Sequence, residues 1–190
     1  MLLDLKFWIK QNYKRFFEWF ILGKVFEDEE VVGQVHRLLF TIMLTSALMW
    51  SYLLNSYFCI DSFILTIIVA ACTLLHILSP LIYRVTGSIS LATSSFVFAG
   101  FLFQFSHSFF TGGFQSNTLI WFSILPLIAG IINGKKALIF WTIFAFFSVG
   151  VLFLIDEHTV FAITKFGELW AQLNIAIGYI LVNFVLMFSY

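Results

Sequence analysis

From Thr118 to Ile132 the chain reads TLIWFSILPLIAGII without a single charge, and the run lies between Gly112-Gly113 and the basic stop Asn133-Gly134-Lys135-Lys136. With its margins it offers about 16 to 18 residues, which at 1.5 Å per residue approach the roughly 30 Å of a bilayer's hydrocarbon core. The glycine pair permits a sharp turn before the run, and the lysines fix which end stays in water. Comparable stretches recur at about 38–57, 62–82, 88–110, 137–155 and 169–190. The chain is therefore read as all-α, a polytopic membrane bundle of six transmembrane helices spread over residues 31–190. A soluble core is excluded, because 61% of residues are hydrophobic and only 11% charged, where a soluble domain carries roughly a quarter charged. The zero formal net charge leaves no footprint for nucleic acid.

Residues 1–30 are of a different kind. At 100° per residue Leu5, Trp8, Ile9, Phe16, Trp19 and Phe20 share one face, and Lys6, Lys10, Lys14, Glu18 and Lys24 share the opposite one. That pattern predicts an amphipathic helix lying in the membrane interface. No short apolar region with a small-residue cleavage site follows the first basic residues, which argues against a signal peptide. The acidic run Glu27-Asp28-Glu29-Glu30 suits the positive end of a following helix, and it lacks the Asp-x-Asp-x-Asp-Gly spacing of a calcium loop.

Orientation follows from the lysines and arginines. Six basic residues precede the first span, Arg84 follows the second, and Lys135 and Lys136 follow the fourth, so all fall on one side. The other side holds Asp61, the turn at 111–117 and the loop 156–168, whose single basic residue is Lys165. Both termini are expected in the cytoplasm.

Polar groups inside hydrocarbon are the natural place to look for function. The third span carries Ser90, Thr93, Ser94, Ser95, Gln104 and His107 beside Ala92, Ala99 and Gly100, a spacing that also lets helices approach closely. Gln104, His107, Trp121, Gln172 and Asn174 share a depth in the outer half of the bundle and are the candidate ligand-binding residues. Pro80 and Pro126 free the carbonyls of His76 and Phe122 from their helical donors and are candidate hinges. Gly130 and Gly134 stand at GxxxG spacing, a candidate helix-packing face. His76, His107 and His158 differ in depth, and no His-Glu-x-x-His or Cys-x-x-Cys-His occurs, so neither a metal nor any other cofactor is expected. Cys59 and Cys72 read as packing residues. No phosphate loop, Gly-x-Ser-x-Gly or kinase signature points to catalysis.

The order of elements resembles bacterial six-span sensor regions. The resemblance rests on the basic amphipathic start, the Glu-rich lead into Val35-His36-Arg37-Leu38-Leu39, the run Gly112-Gly113-Phe114-Gln115-Ser116, and the later Trp121, Pro126-Leu127 and Gly134-Lys135-Lys136. Such regions precede histidine kinases, hybrid kinases and some cyclases, among them quorum-sensing kinases that respond to hydroxyketones. The resemblance implies a membrane input module of a bacterial inner membrane that binds a small, largely apolar signal, works as a homodimer and biases a cytoplasmic output domain. The sixth span ends at Tyr190 with no basic stop, which we read as a helix that continues toward such a domain. A transporter would show intramembrane carboxylates and repeated halves, whereas Asp61, Asp156, Glu157 and Glu168 all lie in outer flanks. A structural anchor is the remaining alternative, and it predicts no saturable ligand.

Overall fold

The computed structural model describes Trp19 and residues 29–60, 62–113 and 116–155. Four long helices make up this part: α1 (Glu29–Cys59), α2 (Phe63–Thr86), α3 (Ile89–Phe110) and α4 (Trp121–Ile155), with a 3-10 turn at Asn117–Ile120 leading into α4. No strand occurs among the described residues. Each of the four, α4 taken together with its 3-10 lead-in, is long and apolar enough to cross a membrane. The expected interfacial helix, apart from Trp19, and the expected sixth span lie outside the described residues.

Local chemistry sets the helix ends. Glu29 and Glu30 stand in the first turn of α1, where the helix dipole favours negative charge. At 31 residues α1 is about 46 Å long, so its first turns extend beyond a 30 Å hydrocarbon slab. Ser62 caps α2 by accepting from the Leu65 N–H at 3.3 Å, and Ser88 caps α3 by accepting from Leu91 in the same way. Gly87 closes α2 in the left-handed region at φ 68°, its N–H bonded to the Tyr83 carbonyl at 2.7 Å. Gly87 and Ser88 alone join α2 to α3, which forces the two helices into an antiparallel pair. Near this turn the Arg84 guanidinium lies 3.6 Å from the ring centre of Trp19 and also donates to the Trp19 carbonyl. The contact ties Trp19 to the basic end of α2.

Pro80 sits inside α2 without ending it. The carbonyl that it deprives of a backbone donor, that of His76, accepts instead from the Ser79 hydroxyl at 2.6 Å. Ser79 is fully buried, and this bond explains how a proline is tolerated where no water can repair the helix.

The fourth helix is not one rod. Gly134 has φ 80° and ψ −175°, values outside any helix, and the chain reverses there. Phe101 of α3 proves the reversal, because its ring lies 5.6 Å from Phe122 and 5.2 Å from Trp141. In a straight helix those two residues would stand about 28 Å apart. The arms 121–133 and 135–155 thus form a helical hairpin, matching the expected fourth and fifth spans on either side of the Asn133–Lys136 stop. Gly130 lets the arms close: a Cβ there would lie 2.9 Å from the Leu138 Cβ. Gly130 therefore packs within the chain, and Gly134 stands at the break rather than on a helix face.

α3 is the central element, packing on α2 along one side and on both arms of α4 along the other, while α1 packs chiefly on α2. One apolar core joins α1, α3 and α4 around Leu38, Phe96, Phe101 and Ile132, and a smaller one joins α1, α2 and α3 around Tyr52, Leu65 and Phe103. Outside these cores Phe63, Ile64, Val85, Phe146, Phe147 and Leu154 are each more than 60% exposed. Water would oppose so much bare apolar surface, whereas lipid tails accommodate it.

Candidate functional site

The carboxy-terminal third of α3 carries a polar network. Gln104 donates from Nε2 to the Thr118 carbonyl at 2.5 Å, across the turn that joins α3 to α4. The Ser108 hydroxyl lies 2.9 Å from that of Thr118, Thr118 lies 2.8 Å from Ser116, and Ser116 lies 2.7 Å from Thr111. Thr111 in turn donates to the His107 carbonyl at 2.7 Å. The hydroxyls close the turn against the last helical carbonyls of α3, where bare backbone would otherwise face an apolar surround. Gly112 and Gly113, at φ 119° and 58°, make the reversal sterically possible.

Behind this network a cavity of about 40 Å³ opens between α1, α2, α3 and the first arm of α4, with Tyr52, His76, Gly100, Gln104, Trp121 and Leu125 in its lining. It has room for a water or two, but not for a drug-sized ligand. Trp121 donates from Nε1 to the Tyr52 hydroxyl at 3.3 Å, which links α4 to α1 across the cavity. The Tyr52 ring also stands edge-on to His107, with centroids 5.1 Å apart.

Two histidines flank the space in different states of pairing. The Thr45 hydroxyl lies 2.8 Å from the Thr41 carbonyl and 2.8 Å from Nε2 of His76, which joins α1 to α2. Nδ1 of His76 has no hydrogen-bond partner. His107 is 1% exposed, and neither of its ring nitrogens is hydrogen-bonded. Such atoms in a low-dielectric interior are points where an added polar group would gain most.

Of the five residues expected to bind a ligand, the structure brings three together. Gln104 and Trp121 line the cavity, and His107 lies one helical turn beyond Gln104, against Tyr52. Gln172 and Asn174 lie outside the described residues, as does His158. Sequence reasoning missed Tyr52, the Thr45–His76 pair and the hydroxyl chain through Thr118. A signal for Tyr52 existed in the stripe Met49, Tyr52, Asn55 and Ser56, which has helical spacing and is buried throughout. No group of three His, Cys, Asp or Glu side chains that could hold a metal occurs among the described residues. Cys59 and Cys72 are free and buried.

Compared with protein-family models, with curated proteins and with solved structures, the chain matches none.

Proposed function

We propose that the chain is the membrane input module of a bacterial signalling protein, in which a small, largely apolar signal enters the bundle between α1, α3 and α4 and biases a cytoplasmic output domain of the histidine kinase or cyclase type. The observation that supports this reading is the cavity itself: an apolar space inside the bundle with Gln104, Trp121, Tyr52 and His76 converging on it and His107 beside it. An apolar body with a few placed polar groups is what a signal with an acyl tail and a polar head requires.

The volume then dictates the mechanism. At about 40 Å³ the cavity is too small for such a signal, so binding parts α3 from the first arm of α4. The seam that opens is at Gly100, where the absent side chain leaves its place to Leu125. The signal stabilises the parted arrangement by its differential affinity, and that difference is what reaches the output domain. Pro126 lies one residue beyond Leu125 in the same arm and is the hinge in this scheme; Pro80, braced by Ser79, plays a smaller part. A homodimer is the assembly in which such a shift is passed on.

The test is a titration of the full chain in lipid nanodiscs with α-hydroxyketones of graded chain length. The signal is the part of the tryptophan fluorescence that a Trp121→Phe variant lacks. A saturable change that depends on chain length, and that Gly100→Leu weakens at least ten-fold, is expected. A response that never saturates at any chain length would remove the sensory reading and favour the structural anchor. A transporter would instead move the same compounds across sealed vesicles.

Topology is checked separately. In a variant lacking Cys59 and Cys72, single cysteines next to Gly113 are expected to react with an impermeant maleimide added outside the cell. Cysteines next to Gly87 and Gly134 are expected to stay unlabelled until the membrane is opened. The reverse pattern would overturn the cytoplasmic placement of the lysine side.

A further inference from the structure

The hairpin at Gly134 leaves a groove of about 350 Å³ beside the first turns of α3, which shares no lining residue with the cavity discussed above. Its lining is of two kinds. Ser90 and Ser94 of α3, Asn133 just before the break and Lys136 just after it are polar; Phe140 and Trp141 of the second arm are apolar. Asn133 donates from Nδ2 to the Ser90 hydroxyl at 3.2 Å, which holds the two polar walls in register. Lys135 and Lys136 are exposed, and neither has a hydrogen bond or ion pair among the described residues. No carboxylate among the described residues lines the groove. The amino-terminal end of the α3 dipole adds partial positive charge at the same end.

Depth and chemistry together narrow the occupant. Asn133, Lys135 and Lys136 mark the edge of the hydrocarbon, so the polar wall lies at headgroup level and Phe140 points the groove into the acyl region. Cation, amide and hydroxyls suit a phosphate. A free phosphate ion has no use for Phe140 and Trp141, whereas a phospholipid has acyl chains to lay along them. Basic pockets between transmembrane helices are a recurrent way of holding anionic headgroups.

We propose that this groove binds the headgroup phosphate of an anionic phospholipid from the leaflet on the lysine side. Lys136 supplies the charge, Ser90, Ser94 and Asn133 the hydrogen bonds, and exposed Phe140 the surface for the first methylenes, with the buried Trp141 as the floor behind it. The site is independent of the sensory reading and holds equally for a transporter or an anchor. An occupied groove clamps the start of α3 to the apex of the hairpin.

The experiment uses the full chain in phosphatidylcholine nanodiscs containing increasing fractions of either brominated phosphatidylglycerol or brominated phosphatidylcholine. Quenching of Trp141, defined as the emission lost in Trp141→Phe, reports which lipid occupies the groove. Half-maximal quenching is expected at about five-fold lower mole fraction for phosphatidylglycerol, the effect of about one lysine near an anionic headgroup. Lys136→Gln should bring the ratio close to one, and Lys136→Arg should keep it. Ser90→Ala combined with Asn133→Ala leaves both lysines in place and should still cut the preference at least two-fold. A ratio unchanged in Lys136→Gln would overturn the proposal. So would a ratio that follows the number of lysines but ignores the Ser90 and Asn133 changes, because that is diffuse attraction and not a site. Loss of the preference on adding millimolar inorganic phosphate, at constant ionic strength, would overturn the lipid assignment in favour of a soluble anion. Should Lys136→Gln fail to fold, Lys136→Arg and the Ser90/Asn133 pair decide the question between them.

Discussion

Gly134→Ala is expected to destabilise the folded protein by about 1–3 kcal/mol, measured by thermal unfolding of purified protein in one detergent. The reason is backbone strain alone. At φ 80° and ψ −175° the residue occupies a region that side chains exclude, while an added Cβ would meet nothing within 4 Å. Alanine and leucine at 134 should therefore cost about the same. Gly130 is the opposite case, since a Cβ there would lie 2.9 Å from the Leu138 Cβ, an atom fixed close to the backbone and unable to swing away. Substitutions at 130 should become steadily worse with side-chain size as the arms are driven apart. A Gly134→Ala protein as stable as the parent, with more helix by circular dichroism, would mean that residues 121–155 run as one helix without the reversal.

That reversal was legible in the sequence because lipid imposes it: an apolar run cannot exceed the bilayer by much, and Asn133-Gly134-Lys135-Lys136 is a stop in any reading. The starts of α2 and α3 were legible to within a residue as the starts of their apolar runs, whereas the capping by Ser62 and Ser88 and the continuation of α2 to Thr86 came only with the structure. Depth along a helix was also recoverable, because the rise per residue is fixed, and so Gln104, His107 and Trp121 were placed together. Rotation about the helix axis was not recoverable. Where lipid and core are both apolar, the 3.6-residue alternation that marks the inner face of a soluble helix is nearly absent. In the second arm of α4, exposed Phe146 and Phe147 adjoin buried Ala145, and no contrast in polarity separates them. Hence Tyr52 and the Thr45–His76 pair escaped notice. The role of Gln104 was equally hidden, because its partner is a backbone carbonyl at Thr118, which no side-chain pattern reveals.

Trp121→Ala is expected to cost about 2–4 kcal/mol, and the way the loss divides tests how the bundle is held together. Trp121 is 8% exposed, lines the cavity and donates to Tyr52. Removing a buried indole from a soluble core costs about 3–5 kcal/mol, part of it transfer from water. Where the unfolded reference is also in lipid, the transfer part falls away and the lost packing and new void remain, which gives the lower figure. The hydrogen bond is the smaller share, about 0.6 kcal/mol for a polar contact between membrane helices. Trp121→Phe, which keeps most of the ring and loses the donor, should therefore be markedly milder than Trp121→Ala. Tyr52→Phe should match the hydrogen-bond share, and the double variant should show little further loss, since both changes break one bond. Truncation also joins the indole's space to the existing cavity of about 40 Å³, and apolar voids of about 150 Å³ take up aromatic guests. Added indole should accordingly raise the unfolding temperature of Trp121→Ala in a saturable way while leaving the parent protein unchanged. Rescue confined to the variant would show that the space between α1, α3 and α4 admits a molecule from the lipid phase. A loss below 1 kcal/mol, or equal shifts in both proteins, would mean that Trp121 is not packed in the core and that the cavity is no route for a signal.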